Sequence, residues 1–188
     1  MRIISGFFKG KKILTPKNKN TRPLKDLTKE SIFNIINHSN KFRINLKNAN
    51  VLDLFSGVGS FGLECLSRGA REVTFIENYK DVLPILEKNL ANFKTVNNFK
   101  ILEQDIYNEN VFTNLNNRFD IIFLDPPFKD TNINKIFNNI EKSEILNNDG
   151  IIILHRHKTE NEIFSKKFEK IEEKIYGLSK IMFFNHLN

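Results

Sequence analysis

Val51-Leu52-Asp53-Leu54-Phe55-Ser56-Gly57-Val58-Gly59-Ser60-Phe61-Gly62 decides the fold. An apolar run, a glycine-rich bend and a helix-compatible continuation follow one another there, the strand, loop and helix of an open α/β sheet. Outward from this stretch the pattern repeats. Apolar runs at 50–54, 73–77, 99–103, 120–124 and 150–154 predict strands, and helical periodicity at about 60–68, 80–92, 106–115 and 132–141 fills the gaps between them. That alternation implies a parallel sheet with helices on both faces. After Leu154 the rhythm changes: Phe168 to Tyr176 and Ser179 to Phe184, joined at Gly177, predict a terminal antiparallel hairpin. Upstream, Ile3-Ile4 and Ile13-Leu14 flank a bend at Gly6 to Gly10 and predict a short hairpin with basic residues at its turn. Thr15 to Pro23 reads as a polar loop. Leu27, Ile32, Ile35 and Ile36 then recur at helical spacing and place a helix over about 26–38, with Thr28 and Ser31 near its start.

The glycine loop limits what can bind there. Gly57, Gly59 and Gly62 have the spacing of a dinucleotide fingerprint, and Glu77 lies 20 residues beyond Gly57, where an acid can bind ribose hydroxyls. In that fingerprint the helix N-terminus receives a pyrophosphate, an anion. Asp53 would set a carboxylate close to it. S-adenosylmethionine has no phosphate and carries an ammonium and a sulfonium, so acids at the strand ends suit it better. Asp105, just after the third strand, is an acid placed to read an adenine amine. A tight turn with no ligand remains the structural alternative. Cys65, on the following helix, reads as a small buried apolar residue rather than a nucleophile.

At the end of the fourth strand stands Asp125-Pro126-Pro127-Phe128. The prolines remove two backbone donors and hold an extended path, which leaves their carbonyls free to accept. A carboxylate, a carbonyl and an aromatic ring facing one point suit a planar base bearing an NH2 group: Asp125 accepts one N–H, the Pro126 carbonyl the other, and Phe128 stacks. Holding the amine so turns its lone pair towards an incoming methyl, and such positioning supplies a large share of a barrier. No metal is called for, because a sulfonium is already a strong leaving group.

The 188 residues carry 29 Lys and Arg against 22 Asp and Glu, a formal charge of +7, with 40% apolar and 27% charged residues. That length predicts one domain and one core. The apolar runs fall far short of the ~20 residues that span a bilayer, and the lysine-rich start does not read as a secretory signal. One cysteine excludes a disulfide scaffold. Cytoplasm is the expected compartment. The charge is uneven: residues 1–50 hold a net +10 and residues 51–188 a net −3. A basic block of this kind predicts an arm that faces a polyanion, with Arg2, Lys9, Lys11, Lys12, Arg22 and Lys25 as its RNA-binding candidates.

Together, Asp53 to Ala70, Glu77, Asp125 to Phe128, Met1 to Gly6 with Lys9-Gly10, the Thr21-Arg22-Pro23 triplet and the helix from Lys29 to Ile36 resemble the RsmD family of class I methyltransferases. The resemblance implies a Rossmann-like α/β fold with a seven-stranded methyltransferase sheet, parallel apart from the terminal antiparallel hairpin, at 46–188. A small N-terminal β-hairpin and helix extension, facing RNA, would occupy 1–45. It also implies methylation of N2 of a guanine in 16S ribosomal RNA, with S-adenosylmethionine as cofactor and an assembled or assembling small subunit as partner; a monomer is expected. By residue match the cofactor site comprises Asp53, Phe55, Gly57, Gly59, Glu77 and Asp105, with Ser56, Asn78 and Ile106 beside them; Asp125 to Phe128 form the target site. The chain departs from the family at Leu27 and Thr28, where an Arg or Lys is usual. It departs again after the fifth strand, where an acid is common and this chain has His155-Arg156-His157-Lys158. Two imidazoles with no acidic or cysteine companion nearby make a poor metal site, so no metal is expected and His155 and His157 read as surface or RNA-facing. The alternatives are an N6-adenine or N4-cytosine nucleic-acid methyltransferase, an NAD-binding oxidoreductase and a non-catalytic RNA-binding subunit.

Overall fold

A computed structural model of the chain describes residues 1–16, 24–160 and 164–187. Helix α1 (Asp26–His38) precedes a regular alternation of β1 (Asn50–Leu54), α2 (Ser60–Ser67), β2 (Glu72–Glu77), α3 (Leu83–Ala91), β3 (Phe99–Glu103), α4 (Asn110–Thr113), β4 (Phe119–Leu124), α5 (Ile133–Lys142) and β5 (Leu146–His157). A hairpin of β6 (Phe168–Tyr176) and β7 (Ser179–His186) closes the chain. The seven strands form one sheet in the order β3-β2-β1-β4-β5-β7-β6. The first five are parallel, and β7 runs antiparallel to both β5 and β6. The connections run outward from β1 in one direction to β3 and then in the other through β4. β1 and β4 are therefore the topological switch point, and the crevice beyond their C-terminal ends is where open α/β sheets bind ligands.

Alternation along the buried strands feeds two cores. Val51, Phe75, Ile121, Phe123 and Ile153 face one side, with α1, α2 and α3 packed on them. Leu52, Leu54, Ile122, Leu124 and Leu154 face the other, beneath α4 and α5. Strands buried on both faces need apolar residues at every position, so they read as runs without alternation. Across the first core, Phe61 of α2 stacks between Phe33 of α1 (centroids 5.2 Å apart) and Phe123 of β4 (4.0 Å). Ile3 and Ile13 belong to the same core, so the N-terminal segment is packed on the sheet rather than hung from it.

Three elements differ from the sequence expectation. Helix α4 is four residues, not ten, because Asp105 and Asn108 accept the backbone N–H groups of Tyr107 and Asn110 and divert the chain into turns. Strand β5 starts at Leu146: Phe119 pairs with Leu146 and Ile121 with Ile151, so Asn147 to Gly150 bulge out of the ladder. The N-terminal hairpin is a single antiparallel bridge, Arg2 with Lys12, rather than two strands. Helix α1 has the expected bounds but begins without a side-chain cap; Thr28 is buried within it, and the Ser31 hydroxyl donates to the Leu27 carbonyl. Among the described residues no helix is long and apolar enough to cross a membrane.

The bridge is tied down by a buried polar cluster. Glu64 of α2, fully enclosed, accepts the N–H groups of Ile4 (2.8 Å) and Ser5 (2.9 Å) and the Arg68 Nε–H (2.8 Å). Lys29 of α1 lies 3.7 Å from it and donates to the Arg2 carbonyl at 2.7 Å. Burial lowers the Lys29 ammonium below its ordinary range, against the attraction of Glu64 and Asp26. One of the twelve basic residues of the N-terminal block is thus a core residue and cannot face a polyanion.

Candidate functional site

At the switch point, register brings the candidate residues together. Leu54 pairs with Ile76 on one side and Leu124 on the other, so the chain leaves β1 at Phe55 beside Glu77 and Asp125. Beyond these ends lies a cavity of about 1110 Å³, lined by Asp53, Phe55, Ser56 and Gly57 of the glycine loop and by Glu77 and Asn78 after β2. Asp105 and Ile106 after β3, and Asp125, Pro126, Pro127 and Phe128 after β4, line it too. That volume has room for two nucleoside-sized groups.

Each loop residue has an identifiable job. Phe55 takes a left-handed φ of 58° and turns the chain off the strand. Gly59 is also left-handed (φ 82°), while Gly62 is where α2 crosses β2: a Cβ there would lie 2.3 Å from the Phe75 ring. Gly59 acts through this turn and does not line the cavity. The Ser56 hydroxyl donates to the carbonyls of Asp53 (2.5 Å) and Ile76 (3.2 Å), which closes the loop. Glu77 accepts N–H groups from Gly57 (2.7 Å), Asn78 (2.9 Å) and Tyr79 (2.8 Å). A carboxylate has about four acceptor sites, so one remains for a hydroxyl.

Asp53 is buried, and its Oδ2 accepts the Gly62 N–H at 3.0 Å, satisfying a donor of the first turn of α2. Burial pushes its carboxyl well above the usual range, the Gly62 bond opposes this, and the charges of Asp125 and Glu77 add to it. A folded-state value raised above the unfolded one, near ~3.9, gives stability that is present below that value and lost as pH rises through the folded one. Asp53→Asn keeps an acceptor for Gly62 and cannot ionise. Its thermal midpoint is expected to exceed the wild type's at pH 8 and to converge with it near pH 4, while affinity for a cationic ligand falls. An equal drop in midpoint across that range would contradict this account.

The Asp-Pro-Pro-Phe segment is held from β5. The Pro127 carbonyl is not free, as the sequence suggested: it accepts from Arg156 Nη1 (3.0 Å) and from the Asp130 N–H (2.9 Å), and Arg156 Nη2 reaches the Asp130 carbonyl at 2.6 Å. Buried Arg156 therefore clamps the loop from behind. Asp130 also accepts the Tyr107 hydroxyl; burial and that carboxylate push the hydroxyl up. Phe128 packs edge-on against His155 (centroids 6.0 Å) and His157 (5.5 Å).

His155 is the clearest correction. It is not on the surface: it lines the cavity, buried, with Nδ1 2.8 Å from Asp125 Oδ1. Leu124 pairs with Leu154, so Asp125, just past the end of β4, comes beside His155, which is still inside β5. His157 is half-buried, its Nδ1 2.7 Å from the Thr159 hydroxyl. Of the basic candidates, Lys25 is exposed on the cavity rim. Arg2, Lys9 and Lys12 are exposed on the hairpin, away from the cavity lining. Lys11 donates to the Asn92 carbonyl and lies over the rings of Phe8 and Phe93. Arg22 and its triplet lie outside the described residues.

Among the described residues, five carboxylates, Asp53, Glu77, Asp105, Asp125 and Asp130, line the cavity against one lysine, Lys25. A pyrophosphate would meet repulsion there; a ligand carrying ammonium and sulfonium charges fits.

Residues 1–185 match the family described as conserved hypothetical protein 95. The chain is 31% identical over 188 residues to the ribosomal RNA small subunit methyltransferase D of Buchnera aphidicola subsp. Baizongia pistaciae, covering 100% of this chain and 92% of that protein. It is 32% identical over 155 residues to the protein of the same name in Escherichia coli K12, covering 81% and 72%. The solved structure of yhhF from Escherichia coli, 26% identical, superposes with a TM-score of 0.83 over 99% of this chain and 97% of that one.

Proposed function

We propose, since this chain belongs to the family described as conserved hypothetical protein 95, that it transfers a methyl group from S-adenosylmethionine to N2 of a guanine in 16S ribosomal RNA. The observation that carries the reading is the meeting, in one acid-lined cavity, of the glycine loop after β1 and the Asp-Pro-Pro-Phe segment after β4. The first compartment holds the cofactor: Glu77 takes a ribose hydroxyl, Asp105 an adenine amine, and the surrounding carboxylates offset the cationic end. When bound there, S-adenosylmethionine supplies the methyl on a sulfonium leaving group.

In the second compartment Asp125 Oδ2 accepts one N–H of the target amine, the Pro126 carbonyl accepts the other, and Phe128 stacks on the base. The amine lone pair is then turned out of conjugation and along the line of attack. Once the nitrogen has gained the methyl it sheds a proton, which Asp125 accepts and passes to solvent. A base reached in this way has left its stack or comes from a loop.

Phosphate contacts fall to exposed Lys12 and Lys25, with Arg2 and Lys9 extending the track. Phe7, next to the bend, donates its N–H to Ser67 at the far end of α2, about 12 Å from the glycine loop by helix rise. A monomer in the cytoplasm acting on an assembling or assembled subunit completes the reading. Tritiated S-adenosylmethionine with naked ribosomal RNA, or with isolated small subunits, tests it: label should enter RNA, and an absence of label from both would overturn it. Lys12→Glu with Lys25→Glu should weaken RNA binding and lower the slope of log affinity against log salt by about one per residue. An unchanged slope removes these residues from the interface.

A further inference from the structure

His155 stands beside the reacting centre with half of its ring accounted for. Nδ1 lies 2.8 Å from Asp125 Oδ1, and the two side chains are only 8% and 20% exposed. Nε2 is buried and has no hydrogen-bond partner among the described residues. An ionised carboxylate can only accept, so at this distance Nδ1 carries a proton and donates it to Asp125. Asp125 Oδ1 is thereby occupied.

The torsion that swings a carboxylate plane is broad and two-fold, so without a second anchor Asp125 would sample orientations that point neither oxygen at a substrate. The same imidazole packs edge-on against Phe128, the ring assigned to base stacking. We propose that His155 is a positioning residue for methyl transfer: its Nδ1–H fixes the plane of the Asp125 carboxylate so that Oδ2 alone meets the target amine, and its ring sets the tilt of Phe128. This role rests on the methyl-transfer reading above. The parallel register of β4 and β5 makes the arrangement rigid, because Asp125 directly follows Leu124, whose ladder partner Leu154 directly precedes His155, and His155 is itself paired with Ile181 of β7.

The test compares two replacements in the full chain. His155→Asn keeps an N–H close to the position of Nδ1; His155→Leu keeps bulk and removes the donor. With tritiated S-adenosylmethionine and the RNA form that the wild type methylates, the Leu variant should lose about 10–100-fold in kcat. KM for cofactor and RNA should stay unchanged. The Asn variant should recover most of the lost rate, and thermal midpoints of both proteins establish that they fold. A Leu variant with wild-type kcat overturns the proposal, and so do Asn and Leu variants that lose rate equally, which marks the ring as packing only. A wild type that labels no RNA removes the reaction and this role together; an active wild type with an unimpaired Leu variant removes the role alone.

Discussion

Replacing Asp125 by Ala is expected to lower the turnover of methyl transfer by about 10²–10⁴-fold while S-adenosylmethionine still binds. Asp125 is the one acid of the cavity that sits at the start of the Asp-Pro-Pro-Phe segment, half-buried, with its N–H turned towards the Leu54 carbonyl at 3.5 Å. On the proposed mechanism its loss removes the acceptor that orients the amine and the base that takes the surplus proton. The proposed cofactor contacts, by contrast, come from the loops after β1, β2 and β3. Single-turnover kinetics with calorimetric titration of S-adenosylmethionine separates the two effects. Wild-type turnover in the Ala variant would remove Asp125 from the chemistry, and loss of cofactor binding would place it in the other compartment.

The second large effect concerns the fold. Glu64→Ala is expected to destabilise the protein by about 3–5 kcal/mol, read from equilibrium denaturant unfolding. The substitution takes away the acceptor for two N–H groups of the N-terminal segment and for Arg68, and leaves the Lys29 ammonium buried beside an apolar side chain. Burial already lowers Lys29, and without the Glu64 charge it moves further down. Adding Lys29→Met to Glu64→Ala should recover part of the loss, since the two residues interact directly. A change below about 1 kcal/mol would mean that the cluster behaves like a surface pair.

Most of the sheet was legible because strands buried on both faces read as apolar runs: 50–54 coincides with β1 and 120–124 lies within β4, while the partly exposed edge strand β3 still coincides with 99–103 and α1 with 26–38. Side-chain competition for the backbone hid the rest. Asp105 and Asn108 shorten α4 although its apolar spacing reads as a longer helix. Asn147-Asn148-Asp149-Gly150 has turn composition, yet it is a bulge inside β5. The glycine loop and the Asp-Pro-Pro-Phe segment were visible because each is contiguous.

His155 and Arg156 were not, since their partners lie about thirty positions earlier, at Asp125 and Pro127. The usable signal was parity: aligning Leu124 with Leu154 puts Asp125 beside His155, and alternation sends Arg156 the other way. The basic N-terminal block was read as one surface, but Lys29 lies in the core and Lys11 is held on Phe93 and Asn92. Charge counts carry no information about burial.

The most direct test is mass spectrometry of nucleosides digested from ribosomal RNA after incubation with this protein and S-adenosylmethionine. The account predicts N2-methylguanosine, formed by the wild type and missing with Asp125→Ala. Methyl groups on adenine N6 or cytosine N4, or N2-methylguanosine formed equally by the Asp125→Ala protein, would contradict it.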